Sequence, residues 1–421
     1  MGIKLKFLGG AQEVGKQGIL AQGPDVNLLL DYGSIVSSTE PKFPEHVRPS
    51  DVNAVILSHA HLDHSGALPY LYVSGGPEVF MTPPTLDLSR LLLKDFLHIS
   101  GEHLPYEALD VESMTRKTEL IEYGESITRD KFELCVRDAG HIPGSMITSL
   151  QLDSKKISFT GDLNIGETRL VRGADTSDKE ADVVIMEGTY SDKDHPPRSE
   201  MEEELVSSCR EIVESGGVAL VPAFSVGRSH EIVSVLRGRG FNHQVYLDGM
   251  AREAAEIIMS HPSYLRDGHE FEKAMGSVTW VNGWRERKQA VSSPGVVVSP
   301  AGMLRGGAAA FYIERLAFSK KNGVFVVSYQ AENTPGRMML ETGELYFKGQ
   351  KRKVEAKIHK FDFSSHAGKS ELEGYIKSFK GSPSFCLVHG EANSLTRFAA
   401  EMAQSTGLKV HAPSIGETLE F

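Results

Sequence analysis

The chain contains the stretch Ser58-His59-Ala60-His61-Leu62-Asp63-His64-Ser65-Gly66, which places three histidines and one aspartate in six consecutive positions. In an extended backbone, residues i and i+2 point to the same side, so His59 and His61 can share one ion. If the chain then turns, Asp63 and His64 can face a second ion. Imidazole and carboxylate ligands at this density suit zinc, which they bind at roughly 2.0–2.2 Å. A polar loop at the start of a helix is the alternative, but so tight a cluster favours a metal site.

Short apolar or β-branched runs in the first half of the chain each end at a polar loop. They are Val26–Leu30 before Asp31, Val55–Leu57 before Ser58, Leu134–Val136 towards His141, Ile157–Phe159 before Asp162, and Val183–Met186 before Glu187. Such runs are typical of buried strands. Because active sites of layered α/β folds gather at the C-terminal ends of strands, we expect these polar residues to meet at one edge.

Three residues at predicted strand ends can complete the metal site: His141, Asp162 and His389. A carboxylate such as Asp162 can bridge two cations through its two oxygens, which a histidine cannot do. Taken alone, a strand-end aspartate or histidine more often forms a turn or caps a helix. Together with residues 58–66, these three predict two sites with open positions, which is typical of catalytic rather than structural metal.

The 421-residue chain has a globular composition, with 40% hydrophobic and 24% charged residues. Its 45 Lys+Arg and 56 Asp+Glu give a net charge of −11, so a phosphate substrate would require a local basic patch or a metal. The N-terminus lacks the apolar core of a signal peptide, and no apolar run approaches the roughly 18 residues of a membrane span. The three cysteines are scattered without a CxxC pair. We therefore expect a cytoplasmic protein with no membrane partner, no disulfide framework and no thiolate zinc site.

From about Ser191 the pattern changes to alternating helices and strands, which is typical of a parallel α/β unit. The predicted elements are a helix Ser199–Ser215, a strand Val218–Val221, a helix from Gly227, a strand Val245–Leu247, a helix from Met250, and strands Gly295–Ser299 and Val324–Ser328. The pattern of the first half, in which a buried strand ends at a polar loop, returns with a predicted strand at Ser384–Val388. A helix is also predicted in the first half, at Pro84–Ile99. We predict one domain, residues 1–190 and 356–421, interrupted by a second domain, residues 191–355.

The segment Gly10-Ala11-Gln12-Glu13-Val14-Gly15-Lys16 fits the GxxxxGK pattern of a phosphate-binding loop. However, Gln17 stands where that loop needs Ser or Thr for magnesium. Residues 18–24 also cannot form the long helix whose N-terminus would bind phosphate. We therefore predict a hairpin turn rather than a nucleotide site.

The HxHxDH motif with His141, Asp162 and His389 resembles the metallo-β-lactamase fold, and the middle of the chain resembles the β-CASP insert of its RNA- and DNA-processing members. The three motifs of that insert match Glu187 in Glu187-Gly188-Thr189-Tyr190, His366 in Phe363-Ser364-Ser365-His366, and His389. Further matches are Pro222–Arg228, Tyr246–Ala251, Ala301–Gly307 and Tyr329–Glu332. The chain is most similar to prokaryotic relatives of the cleavage and polyadenylation specificity factor nuclease, and next to ribonuclease J. The resemblance implies an α/β fold in which a metallo-β-lactamase αββα sandwich is interrupted by a β-CASP α/β insert.

By this resemblance the chain would bind two Zn²⁺ ions. One ion would be held by His59, His61 and His141, the other by Asp63, His64 and His389, with Asp162 bridging the two. Asp31 would orient a ligand histidine, and His366, paired with Glu187, would protonate the leaving oxygen. The candidate catalytic residues are thus Asp63, Glu187 and His366. Without the resemblance, a loop residue resembling a helix N-cap is an equal interpretation of His366.

The resemblance implies a zinc-dependent ribonuclease that hydrolyses phosphodiester bonds of single-stranded RNA, through a metal-bridging hydroxide, in RNA processing or decay. Internal cleavage and 5′-to-3′ cleavage use the same metal ligands, so the sequence leaves the mode of cleavage open. It also leaves open whether DNA is cleaved. A non-catalytic scaffold of an RNA-processing complex is one alternative, although every ligand position is filled. A small-molecule hydrolase of the same fold is another, which the insert and His366 disfavour.

Basic residues cluster shortly before His366, at Lys348, Lys351, Arg352, Lys353, Lys357 and Lys360. Such a run is usually a solvated face, but its position favours contacts from Lys351, Arg352 and Lys353 to the RNA backbone. Arg228 and Arg305, in glycine-bearing motifs, are further candidates for phosphate contacts. A homodimer and complexes with other RNA-processing or decay proteins are left open. We expect neither the extra C-terminal domain of bacterial ribonuclease J nor N-terminal RNA-binding modules.

Overall fold

The computed structural model describes residues 2–36 and 40–421. Its strands are β1 (Lys4–Gly9), β2 (Gly18–Gln22), β3 (Asn27–Tyr32), β4 (Ala54–Ile56), β5 (Glu78–Met81), β6 (Thr118–Leu120), β7 (Ser126–Arg129), β8 (Phe132–Asp138), β9 (Met146–Leu152), β10 (Lys155–Phe159), β11 (Val183–Glu187), β12 (Val218–Pro222), β13 (Val245–Leu247), β14 (Thr279–Trp280), β15 (Gly295–Ser299), β16 (Gly323–Val326), β17 (Glu344–Phe347), β18 (Gln350–Lys353), β19 (Lys357–Lys360), β20 (Ser384–Val388), β21 (Lys409–His411) and β22 (Thr418–Glu420). Its α-helices are α1 (Leu62–Ser65), α2 (Pro83–Ser100), α3 (Ala108–Arg116), α4 (Arg198–Glu214), α5 (Arg228–Gly238), α6 (Ala251–Met259), α7 (Gly268–Gly276), α8 (Trp284–Ser292), α9 (Gly307–Leu316), α10 (Pro335–Thr342), α11 (Lys369–Lys377) and α12 (Ala392–Thr406).

The chain divides into two compact units. The first comprises residues 1–167, 172–194 and 365–421, and the second comprises residues 168–171 and 195–364. The limit predicted at residue 355 falls before β19, and β19 pairs in parallel with β16 of the second unit. The second unit therefore continues to residue 364.

The first unit contains two seven-stranded sheets that share one apolar core. Their strand orders are β22-β1-β2-β3-β4-β5-β6 and β21-β20-β11-β10-β9-β8-β7. In β8, Phe132, Leu134 and Val136 alternate with more exposed residues, because successive side chains of a strand point to opposite faces. These side chains meet residues of the first sheet, such as Leu28, in the core. The two sheets thus form the inner layers of the predicted αββα sandwich.

Amphipathic helices cover the outer faces of both sheets. Helix α2 begins after the N-cap Thr82, whose hydroxyl accepts the backbone N–H of Thr85 at 3.4 Å. Its Leu93 packs against the outer face of the first sheet, and Phe398 of α12 packs against the second. The predicted helix Pro84–Ile99 is confirmed within one residue at each end. Across the described residues, no helix combines the length and the apolar character needed to cross a membrane.

The second unit is built on a six-stranded sheet of order β14-β13-β15-β12-β16-β19, in which every pair is parallel. Parallel strands are buried on both faces, which explains continuous apolar runs such as Val218–Pro222. The alternation of helix and strand predicted after Ser191 is confirmed. One boundary is wrong, since β16 ends at Val326 and not at Ser328.

The segment that fits the phosphate-loop pattern connects two antiparallel strands. β1 pairs with β2 in a register that places Gly9 opposite Gly18. The predicted hairpin is therefore confirmed, and no helix follows the segment within residues 10–27.

An ion-pair network fixes residues 168–171 to the rest of the second unit. The buried Glu231 of α5 accepts the backbone N–H groups of Arg169 and Leu170 at 3.0 and 2.8 Å. It also accepts a hydrogen bond from Arg198 Nη2 at 2.6 Å. Both carboxylate oxygens are thus occupied, so Glu231 joins a returning loop to two helices of the unit.

Replacing Glu231 with alanine is expected to lower the free energy of unfolding by about 3 kcal/mol, because Arg198 and two backbone N–H groups lose their acceptor. Urea unfolding of wild type and variant measures this loss. Glu270→Ala is a matched control, since 62% of the Glu270 side chain is exposed, and a change of at most about 0.5 kcal/mol is expected there. Equal losses in the two variants would contradict this role of Glu231.

Candidate metal centre

The residues predicted for metal binding and proton transfer all lie in the first unit, at or near strand ends. His59 and His61 follow β4, Asp63 and His64 lie on α1, His141 lies between β8 and β9, Asp162 follows β10, Glu187 ends β11, His366 lies between β19 and α11, and His389 follows β20. The strands β10, β11 and β20 are parallel neighbours, so their carboxyl ends meet at one edge of the second sheet. The sheet topology thus brings residues far apart in sequence into one cluster.

One group in this cluster consists of three histidines and one carboxylate oxygen. His61 Nδ1 lies 3.2 Å from His59 Nε2 and 3.1 Å from His141 Nε2. Asp162 Oδ2 lies 3.5 Å from His59 Nε2 and 3.6 Å from His141 Nε2. Ligand atoms bound about 2.1 Å from one tetrahedral ion are about 3.4 Å apart. The spacing of the four atoms therefore fits one zinc ion.

A second group surrounds the other oxygen of Asp162. Asp162 Oδ1 lies 3.3 Å from both His64 Nε2 and His389 Nδ1. Asp63 Oδ2 lies 3.4 Å from His389 Nε2, and ligand atoms of Asp63, His59 and His64 come within 4.8 Å of one another. The two oxygens of Asp162 thus face two different groups of histidines, as a bridging ligand would require.

Several atoms of the second group are buried without a hydrogen bond in the described part of the chain: His64 Nε2, Asp162 Oδ1 and His389 Nε2. A buried polar atom without a partner costs roughly 1–3 kcal/mol. Such atoms in one small space are explained by an ion that binds them. The donor set and these atoms therefore fit a metal centre.

The first group has the protonation state that a cation requires. Burial lowers the pKa of His59 and His141 well below the usual range, and it lowers the pKa of His61 as well. These imidazoles are therefore neutral near pH 7, and a neutral imidazole offers the lone pair that binds a metal. Burial raises the pKa of Asp162, but His389, His64 and His366 together hold it well below its usual range.

Asp31, predicted to orient a ligand histidine, contacts His64. Its Oδ2 lies 2.6 Å from His64 Nδ1 and accepts the Ser58 hydroxyl at 2.7 Å, while Oδ1 accepts the Ser58 backbone N–H at 2.7 Å. This contact leaves Nε2 as the nitrogen of His64 that faces Asp162. Asp31 adopts a φ of +56° and His389 a φ of +52°. Such left-handed backbone costs roughly 1–3 kcal/mol outside glycine and is typical of functional sites.

The Asp31→Asn variant is expected to bind zinc 10–100-fold more weakly at the second group, because it removes the carboxylate that orients His64. Competition with a chromogenic chelator measures the affinity. Asp51→Asn is the control, since the Asp51 side chain is 41% exposed and pairs with Arg48, and this variant should bind zinc as wild type does. Unchanged affinity in Asp31→Asn would contradict the orienting role.

The remaining candidate pair, Glu187 and His366, lies beside the cluster. His366 Nδ1 is 2.9 and 3.1 Å from the two oxygens of Glu187, and 4.0 Å from Asp162 Oδ2. Glu187 is buried and also accepts the backbone N–H of Leu163 at 2.6 Å. Burial lowers the pKa of His366, but the carboxylates of Glu187 and Asp162 raise it more, to about 9. His366 lies two residues before the N-cap of α11, which is Gly368, so it is not the capping residue.

Three contacts within the cluster were not predicted from the sequence. The carbonyl of Ser365 accepts a hydrogen bond from His141 Nδ1 at 2.7 Å, which directs Nε2 towards the first group. Ser58 contacts Asp31 as described above, and Thr189 Oγ1 lies 3.2 Å from His389 Nδ1 and donates to the His389 carbonyl at 2.9 Å. Ser365, Ser58 and Thr189 all belong to motifs quoted in the sequence analysis. Their position in sequence next to ligand residues was the signal from which these contacts could have been predicted.

The candidates for RNA contact lie in the second unit. Arg228 is the first residue of α5 and is half-buried, whereas Arg305 is exposed in the loop before α9. Lys351, Arg352 and Lys353 are exposed on β18. Because β-strand side chains alternate, Lys351 and Lys353 lie on one face of the β17–β18 hairpin and Arg352 on the other.

Comparison with known proteins gives three family matches along the chain. Residues 19–183 match the metallo-beta-lactamase superfamily, residues 231–339 the Beta-Casp domain, and residues 351–413 the Zn-dependent metallo-hydrolase RNA specificity domain. RNase aCSPSF2 of Saccharolobus solfataricus is 40% identical over 99% of this chain and 85% of its own. Transcription termination factor FttA of Methanocaldococcus jannaschii is 35% identical over 94% of this chain and 68% of its own. A crystal structure of a protein of unknown function from Enterococcus faecalis V583 shares the fold, with a TM-score of 0.68, 14% identity and 100% coverage of both chains.

Proposed function

Because this chain belongs to the metallo-β-lactamase superfamily and carries its β-CASP domain, we propose that it is a metal-dependent ribonuclease acting on single-stranded RNA. The observation that carries the proposal is the pair of histidine groups on either side of Asp162. RNA as the substrate is supported by the name of the relative RNase aCSPSF2 and by the match of residues 351–413 to an RNA specificity domain. RNA processing or decay is the proposed role.

We propose two Zn²⁺ ions as cofactors. The first ion would be held by His59, His61 and His141. The second would be held by Asp63, His64 and His389, and Asp162 would contribute to both sites. When bound, such a metal pair activates water at neutral pH and neutralises charge that develops on phosphoryl oxygens.

Asp63 is the carboxylate best placed to meet the attacking water. Its side chain is 33% exposed, whereas that of Asp162 is 2% exposed. Burial raises the pKa of Asp63, but the neighbouring imidazoles of His389 and His64 hold it below its usual range. As a carboxylate, Asp63 can accept a hydrogen bond from a water molecule and orient it towards the phosphorus.

His366 is the proposed proton donor to the departing 3′ oxygen, which leaves a 5′-phosphate and a 3′-hydroxyl. Its Nδ1 faces both oxygens of Glu187, so the proton delivered to the substrate would come from Nε2. Glu187 is itself held by the backbone N–H groups of Leu163 and Thr189. Glu187 therefore fixes the orientation of the His366 ring, as the carboxylate does in other histidine–carboxylate pairs.

Lys351 and Lys353 are proposed to contact the RNA backbone, together with Arg228, Arg305 and Arg352. In the double variant Lys351→Gln/Lys353→Gln, the slope of log K for RNA binding against log salt is expected to fall by about 1.4, because two phosphate contacts are lost. Binding to a labelled oligouridine at several salt concentrations measures the slope. Lys273→Gln/Lys380→Gln is the matched control, since these side chains are 72% and 75% exposed. An unchanged slope in the first double variant would contradict the proposed contacts.

The proposed place of action is the cytoplasm, where the free thiols of Cys135, Cys209 and Cys386 would remain reduced. Complexes with a second copy or with other RNA-processing proteins are compatible with this proposal. Size-exclusion chromatography of the purified chain would detect the second copy.

The experiment that tests the proposed function compares three substrate classes. The zinc-loaded protein is incubated with single-stranded RNA, with single-stranded DNA and with a small-molecule thioester. We expect cleavage of RNA and no hydrolysis of the thioester. Hydrolysis of the thioester without cleavage of RNA would favour a small-molecule hydrolase, and inactivity on all three would favour a non-catalytic scaffold.

A further inference from the structure

Aromatic rings and arginines form a row on the second unit, distant in sequence from the metal ligands. We call this row the aromatic strip, and its members are Trp284, Phe311, Arg315, Phe318, Phe347 and Arg352. They come from α8, from α9 and the residues just past it, and from the β17–β18 hairpin.

The first half of the aromatic strip is centred on Phe311. Trp284 is 63% exposed, and the centroid of its ring lies 5.3 Å from that of Phe311. The guanidinium carbon of Arg315 lies 3.8 Å above the Phe311 ring, and Arg315 also donates to the Phe311 carbonyl at 2.9 Å. Arg315 is thus held flat against an aromatic ring while its residue stays exposed.

The second half repeats the same arrangement around Phe318. The guanidinium carbon of Arg352 lies 3.8 Å above the Phe318 ring and 5.3 Å from the Phe347 centroid. The Phe318 and Phe347 rings lie 5.3 Å apart, and Lys348 Nζ lies 5.4 Å from the Phe347 ring. A second exposed arginine is therefore also held against aromatic rings.

The two halves are continuous along α9. Phe311, Arg315 and Phe318 are spaced four and three residues apart, which places them on one face of a helix. The residue that follows α9, Ala317, keeps helical backbone angles of φ −64° and ψ −23°. At 1.5 Å per residue, the seven steps from Phe311 to Phe318 cover about 10 Å. That distance corresponds to about three nucleotides spaced 3.4 Å apart.

Charge decides what kind of partner the strip fits. The whole chain carries −11, yet the strip carries Arg315 and Arg352 with Lys348 at its end. Within the described residues, Glu314 lies 3.9 Å from Arg315, and neither Lys348 nor Arg352 forms an ion pair. Trp284 is exposed, and both arginines are held against aromatic rings. Flat rings and guanidinium planes next to positive charge match a polyanion with stackable bases.

We propose that the aromatic strip binds single-stranded RNA, with bases stacked on Trp284 and on the arginine–phenylalanine pairs, and with phosphates neutralised by Arg315, Lys348 and Arg352. The proposal rests on the proposed function in taking RNA as the substrate. The strip is a binding surface that contributes affinity for RNA, and none of its residues is a proposed metal ligand or proton donor.

Fluorescence anisotropy with a labelled 20-nucleotide oligouridine, carrying phosphorothioate linkages to slow cleavage, tests this proposal on the zinc-loaded 421-residue chain. Stacking contributes roughly 1–3 kcal/mol per base, so Trp284→Ala should raise the Kd at least about fivefold. In Arg315→Gln/Arg352→Gln, the salt slope should fall by about 1.4. Leu109→Ala is the matched control, since Leu109 is 66% exposed in the first unit, and its Kd should equal that of wild type.

A Kd within twofold of wild type in Trp284→Ala, together with an unchanged salt slope in the arginine variant, would overturn the proposal. Sedimentation of the same samples tests whether a second copy of the chain, and not RNA, binds the aromatic strip. If the wild type were a dimer, and Trp284→Ala converted it to a monomer without changing its RNA affinity, the proposal would also be overturned. Cleavage of unmodified RNA is followed in parallel. If the variants bind RNA more weakly but the wild type cleaves no RNA, the strip is supported and the proposed ribonuclease activity is contradicted. If the wild type cleaves RNA but the variants bind it as tightly as wild type does, the ribonuclease activity is supported and the strip is contradicted.

Discussion

Replacing Asp162 with alanine is expected to abolish binding of both proposed zinc ions and to lower RNA cleavage at least 10³-fold. The reason is geometric, since Asp162 Oδ2 lies 3.5 Å from His59 Nε2 while Oδ1 lies 3.3 Å from His64 Nε2. Loss of a shared ligand removes several kcal/mol of transition-state stabilisation, and each 1.36 kcal/mol is tenfold in rate. Elemental analysis gives the zinc content, and gel analysis of a labelled RNA gives the rate.

The matched control for this variant is Asp130→Ala, an exposed aspartate in the turn between β7 and β8. It should keep two zinc ions and the wild-type rate. If Asp162→Ala kept both ions, or lost less than tenfold in rate, the shared-ligand role would be wrong.

Replacing His366 with alanine is expected to lower the cleavage rate by a factor of about 10²–10⁴, which is the usual contribution of a general acid. Glu187→Gln should cause a loss in the same range, because His366 Nδ1 lies 2.9 Å from Glu187 Oε1 and depends on that carboxylate for its orientation. The double variant should lose little more than the worse single variant, because residues that act as one unit are strongly non-additive. Single-turnover rates of the four proteins complete the cycle.

Zinc content provides the control for this cycle. Neither His366 nor Glu187 is a proposed ligand, so all four proteins should contain two zinc ions per chain. Losses that multiply in the double variant, at full zinc content, would contradict a joint role of the pair. Rescue of His366→Ala by added imidazole would support proton donation, since a merely structural loss would not respond to it.

The sequence predicted the first unit well because its signals are local. Each ligand motif directly follows an apolar run that becomes a buried strand, as Ile157–Phe159 does before Asp162, and the parallel pairing of β10 and β11 then brings the strand ends together. The predicted αββα sandwich with an inserted α/β unit is confirmed, as is the family resemblance. The assignments of ligands, of the proton donor and of RNA contacts stay predictions.

The contacts that orient the ligands could not be predicted, because they depend on tertiary packing. The Ser58 hydroxyl reaches Asp31 across 27 positions of sequence, and Thr189 reaches His389 across 200. A serine beside a histidine motif carries no sign of which carboxylate it will meet.

The basic cluster shows a different limit. Lys351, Arg352 and Lys353 are consecutive in the sequence and were predicted as one basic patch. Because side chains of a strand alternate between its two faces, Arg352 lies on the opposite face of β18 from its two neighbours. Arg352 instead packs on Phe318, which lies outside that cluster. Local charge therefore predicted a basic surface, while the aromatic strip emerged only from contacts between α9 and the hairpin.

The proposed ribonuclease activity is tested most directly by cleavage of one single-stranded RNA, labelled separately at each end, by the purified chain. The zinc-loaded protein should cleave this RNA, a chelator should stop the reaction, and added zinc should restore it. Internal fragments from both labels would define an endonuclease, and mononucleotides from the 5′ end alone would define a 5′-to-3′ exonuclease, both with a 5′-phosphate on the product. Zinc-loaded wild-type protein that leaves the RNA intact would contradict the proposed ribonuclease activity.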